Sequence, residues 1–167
     1  APQESSEDED EEEIKKDKIK KKTDRFEGDF ENGVKVKGDV YYANGDHFWG
    51  TFDEQGRKKN GVLDYANGDE FSGYFNEGMR SIGEHKYASG DSYNGEFENG
   101  HFHGCGRLKE ADGDEYEGEF YHGMRHGKGC LSMSAQNGGA FYTGDFEENL
   151  FHGRGFYRSP DGAEYIG

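Results

Sequence analysis

Three histidines, His103, His126 and His152, recur at one offset of a repeating pattern, and three imidazoles are the right donors for a metal centre. Spacing opposes that chemistry. If the repeats are strand pairs, equivalent residues of successive repeats lie two strands apart, about 9.6 Å, whereas imidazoles sharing a zinc ion each reach it at about 2.0–2.1 Å. Such histidines serve as structural or turn-capping groups, and neither a metal nor a cofactor is expected. The 28 glycines raise the question of a phosphate loop, but none lies between a strand and a helix, where a nucleotide-binding glycine works. The 36 carboxylates are spread evenly along strand faces, and no serine or cysteine sits beside an evident base, so no catalytic residue is assigned. Cys105 and Cys130 fall at different offsets of neighbouring repeats. That placement implies no disulfide framework and fits a reducing intracellular compartment.

The positions of these groups are set by bulk properties and by a repeat. A formal net charge of −16 excludes nucleic acid as an expected partner, because phosphate neutralisation by cations supplies most of that binding free energy. No run of about 18 apolar residues exists, and no apolar stretch follows Ala1, so neither a membrane-spanning helix nor a secretory signal is read from the sequence. Aromatic residues (13 Phe, 11 Tyr, 1 Trp) outnumber Ile, Leu and Val about two to one. The core is therefore expected to be aromatic and thin, built on strands.

Composition changes near Thr23. Residues 1–24 hold an acidic run from Glu4 to Glu13 and six lysines between Lys15 and Lys22; they are expected to form a charged tail, disordered or ordered by a partner. From residue 25 to 167 the chain repeats an aromatic-x-Gly-x-Phe mark. It begins at Phe26, Phe48, Phe71, Tyr93, Tyr116 and Tyr142, with a further start at Tyr165, at spacings of 22, 23, 22, 23, 26 and 23 residues. The longer spacing places an insertion around Gln136 to Gly139. Asn32-Gly33, Asn44-Gly45, Asn67-Gly68, Asn99-Gly100, Asp112-Gly113 and Asp161-Gly162 read as tight primed turns, which need positive φ. Two turns per repeat imply two strands per repeat, and a helix does not fit the period.

The unit from Tyr116 to Gly129, Tyr-Glu-Gly-Glu-Phe-Tyr-His-Gly-Met-Arg-His-Gly-Lys-Gly, resembles the MORN (membrane occupation and recognition nexus) repeat almost position for position. The resemblance runs from Arg25 to the end as six repeats and the start of a seventh. It implies an all-β fold of tandem hairpins in one elongated, twisted, open antiparallel sheet. Only the last three repeats carry the full second-strand signature, Gly104-Cys105-Gly106, Gly127-Lys128-Gly129 and Gly153-Arg154-Gly155. The second has Lys59 where the first of those glycines should stand, so the first three hairpins are expected to be less regular. The resemblance also implies a non-catalytic scaffold or assembly subunit, as in ciliary radial spokes or cytoskeletal and organellar complexes, sited in the cytoplasm or axoneme. A membrane-apposition module binding acidic phospholipids and a regulatory region of a larger enzyme are the alternatives it leaves.

Alternation in a strand puts residues two apart on one face, so Tyr116, Gly118 and Phe120 share an aromatic face while Glu117 and Glu119 share an acidic one. Gly28, Gly50, Gly73, Gly95, Gly118 and Gly144 are the structural glycines, each leaving a gap for an aromatic from the adjacent strand. A single layer this long is expected to leave its apolar face uncovered as a groove. Tyr93, Phe97, Tyr142 and Phe146 line that groove with Tyr116 and Phe120. Second strands add Leu108, Leu131 and Tyr157, and the earlier repeats add Tyr42 and Tyr65. The expected occupants are protein subunits of a larger assembly, presenting a helix or extended peptide with basic character to suit the acidic chain. Membrane contact is expected to be weak, because eight acidic residues stand just before the tail lysines.

Overall fold

The computed structural model describes residues 23–167; the charged segment expected over 1–24 lies outside them except for Thr23 and Asp24. The first three hairpins are β1 (Arg25–Glu31) with β2 (Val34–Tyr41), β3 (His47–Phe52) with β4 (Lys58–Asp64), and β5 (Glu70–Asn76) with β6 (Met79–Lys86). The next three are β7 (Ser92–Glu98) with β8 (His101–Lys109), β9 (Glu115–Tyr121) with β10 (Met124–Ser132), and β11 (Phe141–Glu147) with β12 (Leu150–Arg158). A short β13 (Glu164–Ile166) closes the order, and the thirteen strands form one open antiparallel sheet in sequence order. The insertion in the 26-residue repeat holds a single 3-10 turn, Ala135–Asn137, capped by the Ser134 hydroxyl.

Each strand from β1 to β12 places one glycine in a single file across the sheet. In the first half these are Gly28, Gly38, Gly50, Gly61, Gly73 and Gly83. Gly95, Gly106, Gly118, Gly129, Gly144 and Gly155 continue it, and Gly167 exchanges backbone hydrogen bonds with Gly155 at 2.7 and 3.1 Å. Backbones approach too closely here for any side chain. A Cβ on Gly118 would stand 2.6 Å from the Gly129 Cα, the Lys128 carbonyl oxygen and the Tyr116 hydroxyl. The ring over the glycines is therefore not from the adjacent strand, as the sequence had implied, but from two residues earlier on the same strand. Tyr93, Tyr116 and Tyr142 each lie over both glycines of their own hairpin.

That placement lets a single layer bury its own core. Each first-row ring of the first five repeats meets, edge-on, the second aromatic of its own strand and that of the next repeat. Tyr116 sits 5.0 Å from Phe120 at 85° and 5.0 Å from Phe146 at 82°, and Phe48, Phe71 and Tyr93 repeat the arrangement. Edge-to-face pairs contribute about 0.5–1.5 kcal/mol each beyond area burial. Phe48, Phe71 and Tyr93 are wholly inaccessible to solvent.

The departures seen in the first three repeats change the type of bulge, not the regularity of pairing. There the second strand skips one residue opposite the first: Val36, Lys59 and Ser81. In the last three it skips two, Gly104-Cys105, Gly127-Lys128 and Gly153-Arg154. The first glycine of each pair has φ between +54° and +57°, which favours glycine there. An acidic side chain of the facing strand closes each wide bulge: Glu96, Glu119 and Asp145 accept from the N–H of Cys105, Lys128 and Arg154 at 3.1, 2.9 and 3.0 Å. Tyrosine hydroxyls complete it. Tyr93, Tyr116 and Tyr142 donate to the carbonyls of Glu96, Glu119 and Asp145, each at 2.9 Å. Phe26, Phe48 and Phe71 take the place of those tyrosines where the bulge is narrow.

Turn chemistry divides the expected turn list in two. Asn32-Gly33 and Asn99-Gly100 are primed turns with both residues at positive φ, as are Glu77-Gly78 and His122-Gly123. Asn44-Gly45, Asn67-Gly68, Asp112-Gly113 and Asp161-Gly162 are not, since only the glycine has positive φ; Gly45 N–H bonds to the Tyr42 carbonyl at 3.0 Å, closing an ordinary turn between repeats. These turns are linked to one another by aspartate. Asp24, Asp46, Asp69, Asp91 and Asp114 each accept from the backbone N–H one turn further on, at Ala43, Ala66, Ala88, Ala111 and Ser134, at 2.8–2.9 Å. At the next turn Ala140 replaces the aspartate and Pro160 the donor.

Two stability measurements follow from this packing. Gly118→Val is expected to lower unfolding free energy by at least about 1–3 kcal/mol, since a branched side chain there meets backbone that has no room to move; Asn99→Ala should cost less, and the reverse order in urea denaturation would refute the close approach. Tyr116→Phe should cost about 0.5–1.5 kcal/mol through its lost hydrogen bond, whereas Phe71→Tyr should bring no gain, its narrow bulge offering no matched pair of carbonyls.

Candidate interaction surface

The residues expected to line a groove separate by depth. Tyr93, Phe97, Tyr116, Phe120, Leu131, Tyr142 and Phe146 are all buried. They form the core itself, so the expectation that these side chains stand open to a partner is corrected: edge-on packing across repeats covers them. Burial pushes the Tyr116 hydroxyl up to about 12. Leu108, Tyr157, Tyr42 and Tyr65 are half-buried against that core, and they are the members of the expected set still reached from outside.

Tyr42 and Tyr65 line a recess of about 680 Å³ on the aromatic face, together with Lys58, Leu63, Met79 and Arg80. Each residue paired with the second aromatic of a hairpin belongs to one row: Lys35, Lys58, Arg80, Phe102, Arg125 and Phe151. Where this residue is Phe, it stacks on the first-row tyrosine, at 3.8 Å for Phe102 on Tyr93 and 3.9 Å for Phe151 on Tyr142. Where it is a cation, the charge lies over the rings. Lys35 Nζ stands 5.0 Å from the Phe26 centroid, Lys58 Nζ 5.3 Å from Phe75, and the Arg80 guanidinium 4.9 Å from Phe97. Burial holds the Lys58 ammonium below the usual lysine range, and burial also raises the Tyr42 and Tyr65 hydroxyls.

Sequence reasoning passed over this row because lysine and arginine after a turn look solvated; the signal available was their regular offset after each hairpin turn. It also passed over His85, which occupies the register position of Val40, Leu63, Leu108 and Leu131 and is 3% exposed. Its Nδ1 stands 2.6 Å from Arg80 Nη1, and Arg80 Nη2 donates to the Gly100 carbonyl at 3.2 Å, so the guanidinium is held from two sides. His85 Nε2 faces Asp69 Oδ2 at 3.5 Å, too far for a good hydrogen bond. Burial and the Arg80 charge together lower the His85 pKa.

The reverse face is not uniformly acidic, as had been expected. Trp49, Tyr74 and Ile82 stand about half exposed on it, with Tyr74 directly opposite Ile82. Of the recurring histidines, His103 and His152 face Glu98 and Glu147 at 3.3 and 3.1 Å. Glu110, Asp112 and Asp114 gather at one turn, where the Asn137 amide donates to Asp112 and Asp114 at 2.6 and 2.8 Å. Cys105 and Cys130 are free and exposed.

The family profile of the MORN repeat matches residues 26–47, 93–115, 116–134 and 142–164, together more than half of the chain. The chain belongs to the MORN-repeat family. Between the matched stretches, β3 to β6 carry the same glycine file and the same ring packing, so this MORN array is continuous in structure where the profile is not. No curated protein matches the sequence. Among solved structures, the TCP domain of SAS-4 (dCPAP) of Drosophila melanogaster, in complex with a proline-rich motif of Ana2 (dSTIL), is 14% identical with a TM-score of 0.47, covering 99% of this chain and 94% of that one. At that score the likeness carries no argument about this MORN protein.

The depressed His85 pKa fixes a pH dependence. The unfolded state takes up a proton near pH 6.5 and the folded state only at lower pH, so stability is full above about 6.5 and falls as pH drops from there to the folded-state value. Thermal unfolding between pH 7.5 and 5 should show this loss, and His85→Leu, which copies the neighbouring repeats, should flatten it; an unchanged slope in that variant would remove His85 as the cause.

Proposed function

We propose that this MORN protein is a non-catalytic scaffold that binds a segment of a partner protein along its aromatic face. The observation that carries the reading is the recess at Tyr42, Tyr65, Lys58 and Arg80: an accessible, partly apolar depression with polar groups at its rim, built on a rigid sheet. The core rings beneath it hold the sheet's shape, and the half-buried tyrosines and cations above them make the contacts. The family supplies the context of repeat scaffolds, and an intracellular assembly, cytoskeletal or ciliary, is the setting in which such a surface would work. The cations of this face, which have no carboxylate within ion-pair distance among the described residues, shift the expected partner away from a basic segment. A membrane role is disfavoured because the aspartate-lined turns flank the recess with negative charge.

Tyr42→Ala with Tyr65→Ala tests the reading, since neither ring is among the fully buried ones. The double variant should keep its β-type circular dichroism and lose the proteins captured from lysate by the parent chain, identified by quantitative mass spectrometry. An unaltered capture profile from the folded variant would move the binding surface elsewhere. Sedimentation with anionic vesicles at physiological salt should leave most of the protein in solution.

A further inference from the structure

Among the described residues the cations of the row have no carboxylate within ion-pair distance, which is unusual for a core-facing lysine or arginine. Among the described residues of this strongly acidic chain, Arg25, Arg57, Lys86, Arg107, Lys128 and Arg158 each have a carboxylate within ion-pair distance. Lys35, Lys58, Arg80 and Arg125 have none. The other described cations without one, Lys37, Lys59, Lys109 and Arg154, are exposed, whereas the four in the row are half-buried. A partly desolvated cation is stabilised by aromatic faces by only about 0.5–2 kcal/mol, less than a close carboxylate offers in the same setting. Lys35, Lys58 and Arg80 belong to consecutive repeats, so their backbone positions recur about every 9.6 Å.

We infer that this row binds an acidic peptide segment of the partner protein, its carboxylates meeting Lys35, Lys58 and Arg80 in turn while its apolar side chains rest on Tyr42, Tyr65 and Met79. The inference rests on the scaffold reading above and names the chemistry of its ligand. The repeat is matched by carboxylates three residues apart in a polyproline II segment, which rises about 3.1 Å per residue with three residues per turn and so presents every third side chain on one side. Arg80 is already fixed by His85 and the Gly100 carbonyl, so little of its freedom remains to be lost on binding. An anionic bilayer fits less well: a broad lipid surface would meet Asp24 and Asp46, which also line the recess, together with the cations, whereas a single peptide segment can follow the cation row alone. The chain's own acidic run from Glu4 to Glu13 is a weaker occupant because six lysines follow it directly.

The test uses the full chain and a fluorescein-labelled peptide with glutamate at every third position and serine between, followed by fluorescence anisotropy. Saturable binding is expected, weakening as salt rises, with roughly tenfold loss in Lys35→Gln/Lys58→Gln and recovery in Lys35→Arg/Lys58→Arg. Lys37→Gln/Lys109→Gln, the same charge change away from the row, should alter affinity by less than about twofold. Absence of binding, equal loss in the two glutamine pairs, or equal binding of a lysine–serine peptide overturns the inference. So does binding that appears only when Glu4 to Glu13 are replaced by glutamine, which would give the row to the chain's own carboxylates. Lys58-dependent binding to anionic vesicles without peptide binding would give it to lipid. If Tyr42 and Tyr65 govern partner capture while the acidic peptide fails to bind, the scaffold reading stands and only this inference falls.

Discussion

A sheet of one layer ordinarily cannot hide its apolar face, and this one does so through the close approach of glycine backbones. Where two glycines face each other, no Cβ keeps the strands apart, and the ring two residues earlier lies flat over the vacant space. That ring then stands at the right height to receive the edges of two phenylalanines, one from its own strand and one from the following repeat. Everything else in the sheet, from the wide bulges to the placement of the cations, is arranged around this file of glycines. The hydrophobic effect supplies the drive, but the glycines decide which atoms it brings together.

The tyrosine and phenylalanine variants of the first-row ring follow from the same constraint. A two-residue bulge turns two carbonyls toward the end of the ring, and a hydroxyl there satisfies them. A one-residue bulge presents no such pair, and a bare phenyl ring fits. Ring type and arm length thus change together between the third and fourth repeats, Phe71 with Ser81 on one side and Tyr93 with Gly104-Cys105 on the other. The missing glycine at Lys59 is one expression of this pairing of features, not a defect in the hairpin.

The strand order, the two-strand period and the position of the insertion were all legible from the aromatic-x-Gly-x-Phe spacing, because a period of two and a recurring turn leave few alternatives. What periodicity could not convey was depth. Tyr116 and Tyr42 look equivalent as aromatic residues, yet one lies inside a ring zipper and the other at its rim; the difference depends on contacts between repeats. His85 was illegible for a related reason, since a polar residue at a leucine position is recognised as core only when its register is known. The cation row stayed hidden because its partners are rings rather than carboxylates, and only its fixed offset after each hairpin turn marks it along the chain. Turn type escaped because Asn-Gly occurs in two contexts that differ only in which residues take positive φ.

The aspartate links between turns give the array a grain. Each of the first five hairpins is spanned on this edge by an aspartate reaching to the turn that follows it, and the series stops at the sixth, where Ala140 and Pro160 stand instead. Restoring the missing link would need two changes at once, an acid at one position and an N–H at the other, so no single substitution can close the gap. On this side of the sheet the last full hairpin is joined to its neighbours by strand pairing alone. The gap falls across the sixth hairpin, between the turn that precedes β11 and the turn that follows β12, so along this edge that hairpin alone goes without the lacing that spans the first five.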